Sequence, residues 1–135
     1  MKDVKLIIAG GRDFDDVRFL YNKMHWVLEQ VKAQDMKIVE IVSGAQVSED
    51  PVTHEKWGAD YLGELWAAEH DIPVRLFPAA WNKLGKRAGF VRNKAMADYA
   101  DGLVAFWNGE SKGTKNMIDN VLKLDKPAMV FTYTS

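Results

Sequence analysis

The sequence has no cysteine. That absence excludes disulfides, thiolate nucleophiles and cysteine-ligated zinc or iron–sulfur sites, and it suits a reducing compartment such as the cytoplasm. Long apolar runs are missing too. The first apolar segment, residues 4–9, is far shorter than a membrane span and runs into Gly10-Gly11 without the layout of a signal peptide. A soluble, cytoplasmic chain with no membrane partner is expected. Excess charge of either sign is also lacking: 18 basic side chains stand against 19 acidic ones, a formal net charge of -1. No global field draws in a phosphate backbone, so a nucleic-acid partner is not expected. Low-complexity tracts and internal repeats are absent. The histidines, His25, His54 and His70, have no second histidine at ligand spacing, so no metal site is expected.

What remains is ordinary for a globular protein. With 135 residues, 47% of them hydrophobic, the chain suits one domain, 1–135, burying about two-thirds of its unfolded surface. Residues 4–9 and 38–42 are short, β-branched apolar runs that end in glycine turns, the pattern of strands buried on both faces. Residues 74–77, 103–107 and 128–132 supply three more. Between them lie four helical patterns. The first carries Val17, Leu20, Met24, Val27 and Val31; the second Ala59, Leu62, Leu65 and Trp66. The third spans 87–99 with Ala88, Val91, Ala95 and Tyr99, and the fourth carries Met117, Ile118, Val121, Leu122 and Leu124. Residues 46–57 and 78–86 read as loops. Strands alternating with helices predict an α/β, Rossmann-like three-layer sandwich around a mostly parallel five-stranded sheet. Neither a G-x-G-x-x-G fingerprint nor a Walker A motif is present, and no cofactor is implied.

In such a fold ligands bind at the carboxyl ends of the strands. The turns Gly10-Gly11, Ser43-Gly44 and 109–113 each follow a predicted strand and should share one rim. Glycine permits close approach to a ligand, although tight turns use it regardless. Ser111, Gly113 and Thr114 bring hydroxyls and free N–H groups to a helix start, which suits phosphate and equally suits N-capping. Arg12 and Asp13 fall at the same rim as ligand contacts or as a local ion pair, and Asp60 as a contact or a cap. Arg92 and Asn93 sit near a helix start, where Arg92 either clamps phosphate or reaches outward by its stem. Trp81, ahead of a glycine-containing helix start, is placed to stack on a base.

Taken in order, 10–14 (GGRDF), 43–45 (SGA), 58–60 (GAD), 77–81 (FPAAW), 85–89 (GKRAG) with Arg92, Asn93 and Met96, and 105–107 (AFW) with Gly109, Ser111, Gly113 and Thr114 resemble the cpYpsA-related branch of the SLOG superfamily over nearly the whole chain. The resemblance implies a Rossmann-like fold shared with LOG-type phosphoribohydrolases and DNA-processing A proteins. It further implies a site for nucleotides or nucleotide-derived molecules and self-association into a dimer or higher oligomer. Two departures stand out. Members usually join the Ser-Gly and Gly-Ala-Asp motifs in one compact turn, whereas here an insertion, 46–57, separates them on the ligand rim, as a lid or a partner-contact loop. LOG-type enzymes carry a glutamate soon after the Gly-Thr of the last turn, where this chain has Lys115 and Asn116. Glycosidic cleavage needs a carboxylate beside the cationic sugar, and Glu110 or Asp13 are the nearest substitutes. The expected function is therefore nucleotide binding, as a sensor or sequestering module, with nucleotide N-glycosidase and single-stranded nucleic-acid binding as alternatives. Ser111, Gly113, Thr114 and Arg92 are assigned to phosphate, Arg12 and Asp13 to sugar or base. Ser43, Gly44 and Asp60, with Gly10, Gly11, Asn93 and Gly109, complete the rim.

Overall fold

The computed structural model describes residues 1–134. Strand β1 (Lys2–Gly10) leads through α1 (Val17–Ala33) to β2 (Met36–Ser43). A short hairpin, β3 (Ser48–Glu49) and β4 (Lys56–Trp57), precedes α2 (Ala59–Glu69) and β5 (Val74–Leu76). Then come α3 (Trp81–Leu84), a 3-10 turn (Gly85–Arg87), α4 (Ala88–Tyr99), β6 (Gly102–Trp107), α5 (Lys112–Lys123) and β7 (Ala128–Thr132). Every pairing within the five-stranded sheet, order β5-β2-β1-β6-β7, is parallel.

Strand alternation divides the core. Leu6 and Ile8 of β1 point to the layer packed by Leu20, Met24 and Val27 of α1 with Leu62 and Trp66 of α2. Ile7 and Ala9 point the other way, onto Met96 and Ala97 of α4 and Met117, Ile118 and Val121 of α5. Continuous apolar runs thus bury both faces of a strand, as parallel sheets require. Chain order moves outward from β1 to β2 and β5, then crosses back to β6 and β7, so direction reverses between β1 and β6. A crevice forms outside the strand ends at such a reversal.

Three sequence expectations change. The 46–57 stretch is not an unpatterned loop: Ser48 pairs with Trp57 and Glu49 with Lys56, antiparallel. Asp50 shapes its turn, its Oδ1 accepting from Val52 N at 2.8 Å and Thr53 N at 2.9 Å. Two-residue strands leave no alternation to read. Within 78–86, a four-residue helix stands where a loop was expected. The helix stripes also shift. Val17, Leu65, Val91, Leu122 and Leu124 are exposed, and so is Ala95. The inner face of α4 runs through Ala88, Asn93, Met96 and Ala97 instead, because buried Asn93 donates from Nδ2 to Gly113 O and Asn116 Oδ1, both at 3.1 Å. A polar side chain that knits two helices reads as surface in a hydrophobicity pattern.

Candidate functional site

The turn after β1 is fixed first. Phe14 is buried and packs edge-on against Tyr133 and Phe19, with ring centroids 4.8 and 6.2 Å away. Backbone bonds tie this turn to both neighbours: Gly11 N donates to Phe106 O, Ala59 N to Gly11 O, and Gly58 N to Phe14 O. Gly58, at φ 109 and ψ 148, opens α2 in a conformation that only glycine adopts readily. The result brings Asp60, on the first turn of α2, to the rim shared by β1, β2 and β6.

There the chain encloses a cleft of about 220 Å³. Gly10, Arg12, Gly44, Asp60, Arg92, Asn93, Gly113 and Thr114, all singled out in the sequence, line it together. Trp81 lines it too, its ring 5.8 Å from the Arg12 guanidinium. The other expected site residues lie outside the lining. Asp13 accepts a 2.7 Å hydrogen bond from the Tyr133 hydroxyl. Gly11 lies beneath that pair, so close that a Cβ there would collide with the hydroxyl. Ser43 is buried and donates to Glu64 Oε2 at 2.7 Å. Ser111 caps α5, its Oγ accepting from Thr114 N and Oγ1, and Gly109 is an exposed turn residue at φ 86. These five brace the rim or sit beside the cleft.

The cleft is electrostatically mixed: Arg12, Lys86 and Arg92 stand against the single carboxylate of Asp60. Arg92 donates from Nη1 to Gly44 O and, at 3.4 Å, to Phe77 O, and from Nε to Asn93 Oδ1 at 2.9 Å. Burial lowers its pKa. Asp60 is 7% exposed and accepts from Gln46 N at 3.1 Å. Burial dominates its titration and pushes it up to about 7; the Gln46 hydrogen bond and the charges of Arg92 and Arg12 pull the other way, while Glu64 adds to the rise. Tyr133 is likewise raised, by burial first and then by its bond to Asp13.

Ala9, Gln46, Lys86, Gly89, Phe90, Met96 and Met117 complete the lining. Of these, Lys86, Gly89 and Met96 belonged to motifs quoted above without a role. Gln46 opens the insertion and carried no signal. The insertion is wired to the cleft at its start, through Gln46 N to Asp60 and through the Ser48 hydroxyl to Arg12 O at 2.9 Å. Neither substitute carboxylate is placed to replace the missing glutamate. Glu110 is exposed outside the lining, and Asp13 is held by Tyr133. Lys115 pairs with Asp119 at 2.8 Å, and Asn116 accepts from Asn93.

This is a Rossmann-like α/β domain with a cleft of charged and apolar side chains at the reversal point of its sheet. The chain belongs to the YspA, cpYpsA-related SLOG family (YAcAr), which matches residues 4–84. No curated protein matches. Among solved structures, homoserine dehydrogenase of S. aureus at pH 6.0 is similar at 9% identity and a TM-score of 0.39. The match covers 98% of this chain and 34% of that one, so this chain spans about a third of the dehydrogenase. No helix among the described residues is long and apolar enough to cross a membrane.

Proposed function

We propose that the cleft binds a nucleotide or a nucleotide-derived small molecule, and that the protein acts as its sensor or sequestering module. The observation that carries this reading is the convergence, in one cleft, of the α5 start, the Arg92 guanidinium and the Trp81 and Phe90 rings. Phosphate suits the first two, and a base suits the rings. A helix dipole contributes only about 0.3–2 kcal/mol, so affinity depends on several groups acting together. Family membership supports a nucleotide-related ligand.

The test is calorimetry with nucleoside mono- and diphosphates. Arg92→Ala should weaken binding by about 10–100-fold, the range for one hydrogen bond to a charged group. Thr114→Ala should weaken it by about 3–10-fold, as a neutral contact does. Unaltered affinity in both folded variants would place the ligand elsewhere.

Because the insertion is anchored on Asp60 and Arg12, a bound nucleotide should also slow tryptic cleavage after the exposed Lys56. Equal cleavage rates with and without ligand count against the insertion as a lid. A second reading, N-glycosidic hydrolysis, rests on Asp60 as a carboxyl within the cleft. Base released from a nucleoside monophosphate would favour it.

A further inference from the structure

A pocket built to hold an oxyanion gains from cations and loses from a carboxylate, yet Asp60 lines this one beside Arg92. The two side chains converge on the bare Cα of Gly44. A Cβ there would lie 2.7 Å from Arg92 Nη1 and 3.0 Å from Asp60 Oδ2. Even at that proximity Arg92 directs Nη1 to the carbonyl oxygens of Gly44 and Phe77, and Asp60 takes its hydrogen bond from the Gln46 backbone. Three of the five guanidinium N–H groups are committed to the protein, which leaves the two on Nη2 for a ligand, and the Asp60 carboxyl lines the same cleft.

We propose that Asp60 and Arg92 form a proton-linked subsite for the oxyanion of the ligand, Arg92 supplying charge and Asp60, in its acid form, donating a hydrogen bond where its carboxylate would repel. This rests on the reading of the cleft as a nucleotide site. Groups from every element packed around Asp60 enter the balance. Arg92 on α4 and Arg12 after β1 favour its charged form, Glu64 one turn along α2 opposes it, and the Gln46 N–H at the insertion favours it. Lys86 lines the same cleft. Burial outweighs these, and the carboxyl titrates at about 7, so both forms are populated near neutrality. An anion arriving beside Arg92 selects the acid form, with uptake of about half a proton at pH 7 and nearly a full one at pH 8.

The experiment follows sulfate, AMP and adenosine by NMR titration at pH 6, 7 and 8. Sulfate keeps a constant charge over this range, whereas a phosphomonoester has its own ionisation near pH 6. With Asp60 at about 7, its acid fraction falls about tenfold from pH 6 to pH 8. Sulfate should therefore bind about tenfold more weakly at pH 8 than at pH 6, and AMP should follow the same trend, with adenosine unchanged. Asp60→Asn, a neutral stand-in for the acid, should hold the pH 6 affinity throughout. Reciprocity gives a readout that needs no variant: saturating sulfate should raise the titration midpoint of the Asp60 carboxyl carbon in the wild type by about one pH unit or more. AMP binding with a pH-independent sulfate affinity and an unmoved midpoint overturns the proton linkage and leaves the nucleotide cleft standing. Adenosine weakening as steeply as AMP overturns the assignment of the proton to the anion. Failure of every nucleotide to bind at any pH overturns the cleft reading, and the linkage with it.

Discussion

Asp60→Asn should make the ligand-free fold more stable than the wild type at pH 8, by as much as about 4 kcal/mol, while leaving the two nearly equal at pH 4. The carboxyl has an ordinary value of 3.8 and titrates at about 7 in the folded chain. A group raised on folding contributes stability that is complete below its unfolded value and is lost as pH rises to its folded one. At about 1.4 kcal/mol per pH unit, the wild type loses about 4 kcal/mol between pH 4 and pH 7 and little more beyond. Asparagine keeps the shape and an acceptor for Gln46 N without the charge. Urea unfolding from pH 5 to pH 8 should show a falling wild-type curve, by about 3 kcal/mol, against a flatter curve for the variant. Parallel curves would mean that Asp60 is solvated in the folded protein. A site that keeps so costly a group trades stability for something else, as functional sites do.

Gly10→Ala should destabilise the fold by about 3 kcal/mol or more, while Gly113→Ala, the same chemical change at another cleft residue, should be neutral or stabilising by up to about 1 kcal/mol. A Cβ on Gly10 would lie 2.3 Å from Phe106 O and 2.8 Å from the Ala59 Cβ. Neither neighbour is a flexible side-chain end. Phe106 O belongs to the β1–β6 pairing and accepts from Gly11 N, and Ala59 opens α2. Relief would require β6 or α2 to move, and both hold the cleft. A Cβ on Gly113 would meet nothing within 4 Å among the described residues beyond its own helical backbone, and it sits in the first turn of α5, where alanine is the better helix former. Unfolding midpoints of both variants check this; similar losses in the two would remove the close approach as the cause.

The sheet was legible because buried parallel strands are dense, short apolar runs: 103–107 and 128–132 were read within a residue of β6 and β7. The rim was legible for the same reason, since glycine turns after β1, β2 and β6 must share an edge once those strands pair in parallel. Residues that act through partners far along the chain were harder. Asp13 looked like a ligand contact because Tyr133, 120 positions away, is invisible to local pattern. Ser43 looked like a rim hydroxyl, yet it turns inward to Glu64. Asn93 was seen as a site residue, but its role in joining α4 to α5 displaced the expected stripe through Val91 and Ala95. Gln46 had no signal, because its place in the cleft comes from a hairpin too short and too polar to show a period.

Occupation of this cleft by a nucleotide, as proposed, would leave a mass signature. Native mass spectrometry of freshly purified wild type and Arg92→Ala tests it most directly, followed by titration of the ligand-free protein with a nucleotide panel. A nucleotide-sized adduct is expected on the wild type, or its uptake from the panel at one per chain, with marked loss in Arg92→Ala. A wild type that carries no nucleotide and takes up none, or a folded Arg92→Ala variant that binds as tightly as the wild type, would contradict it.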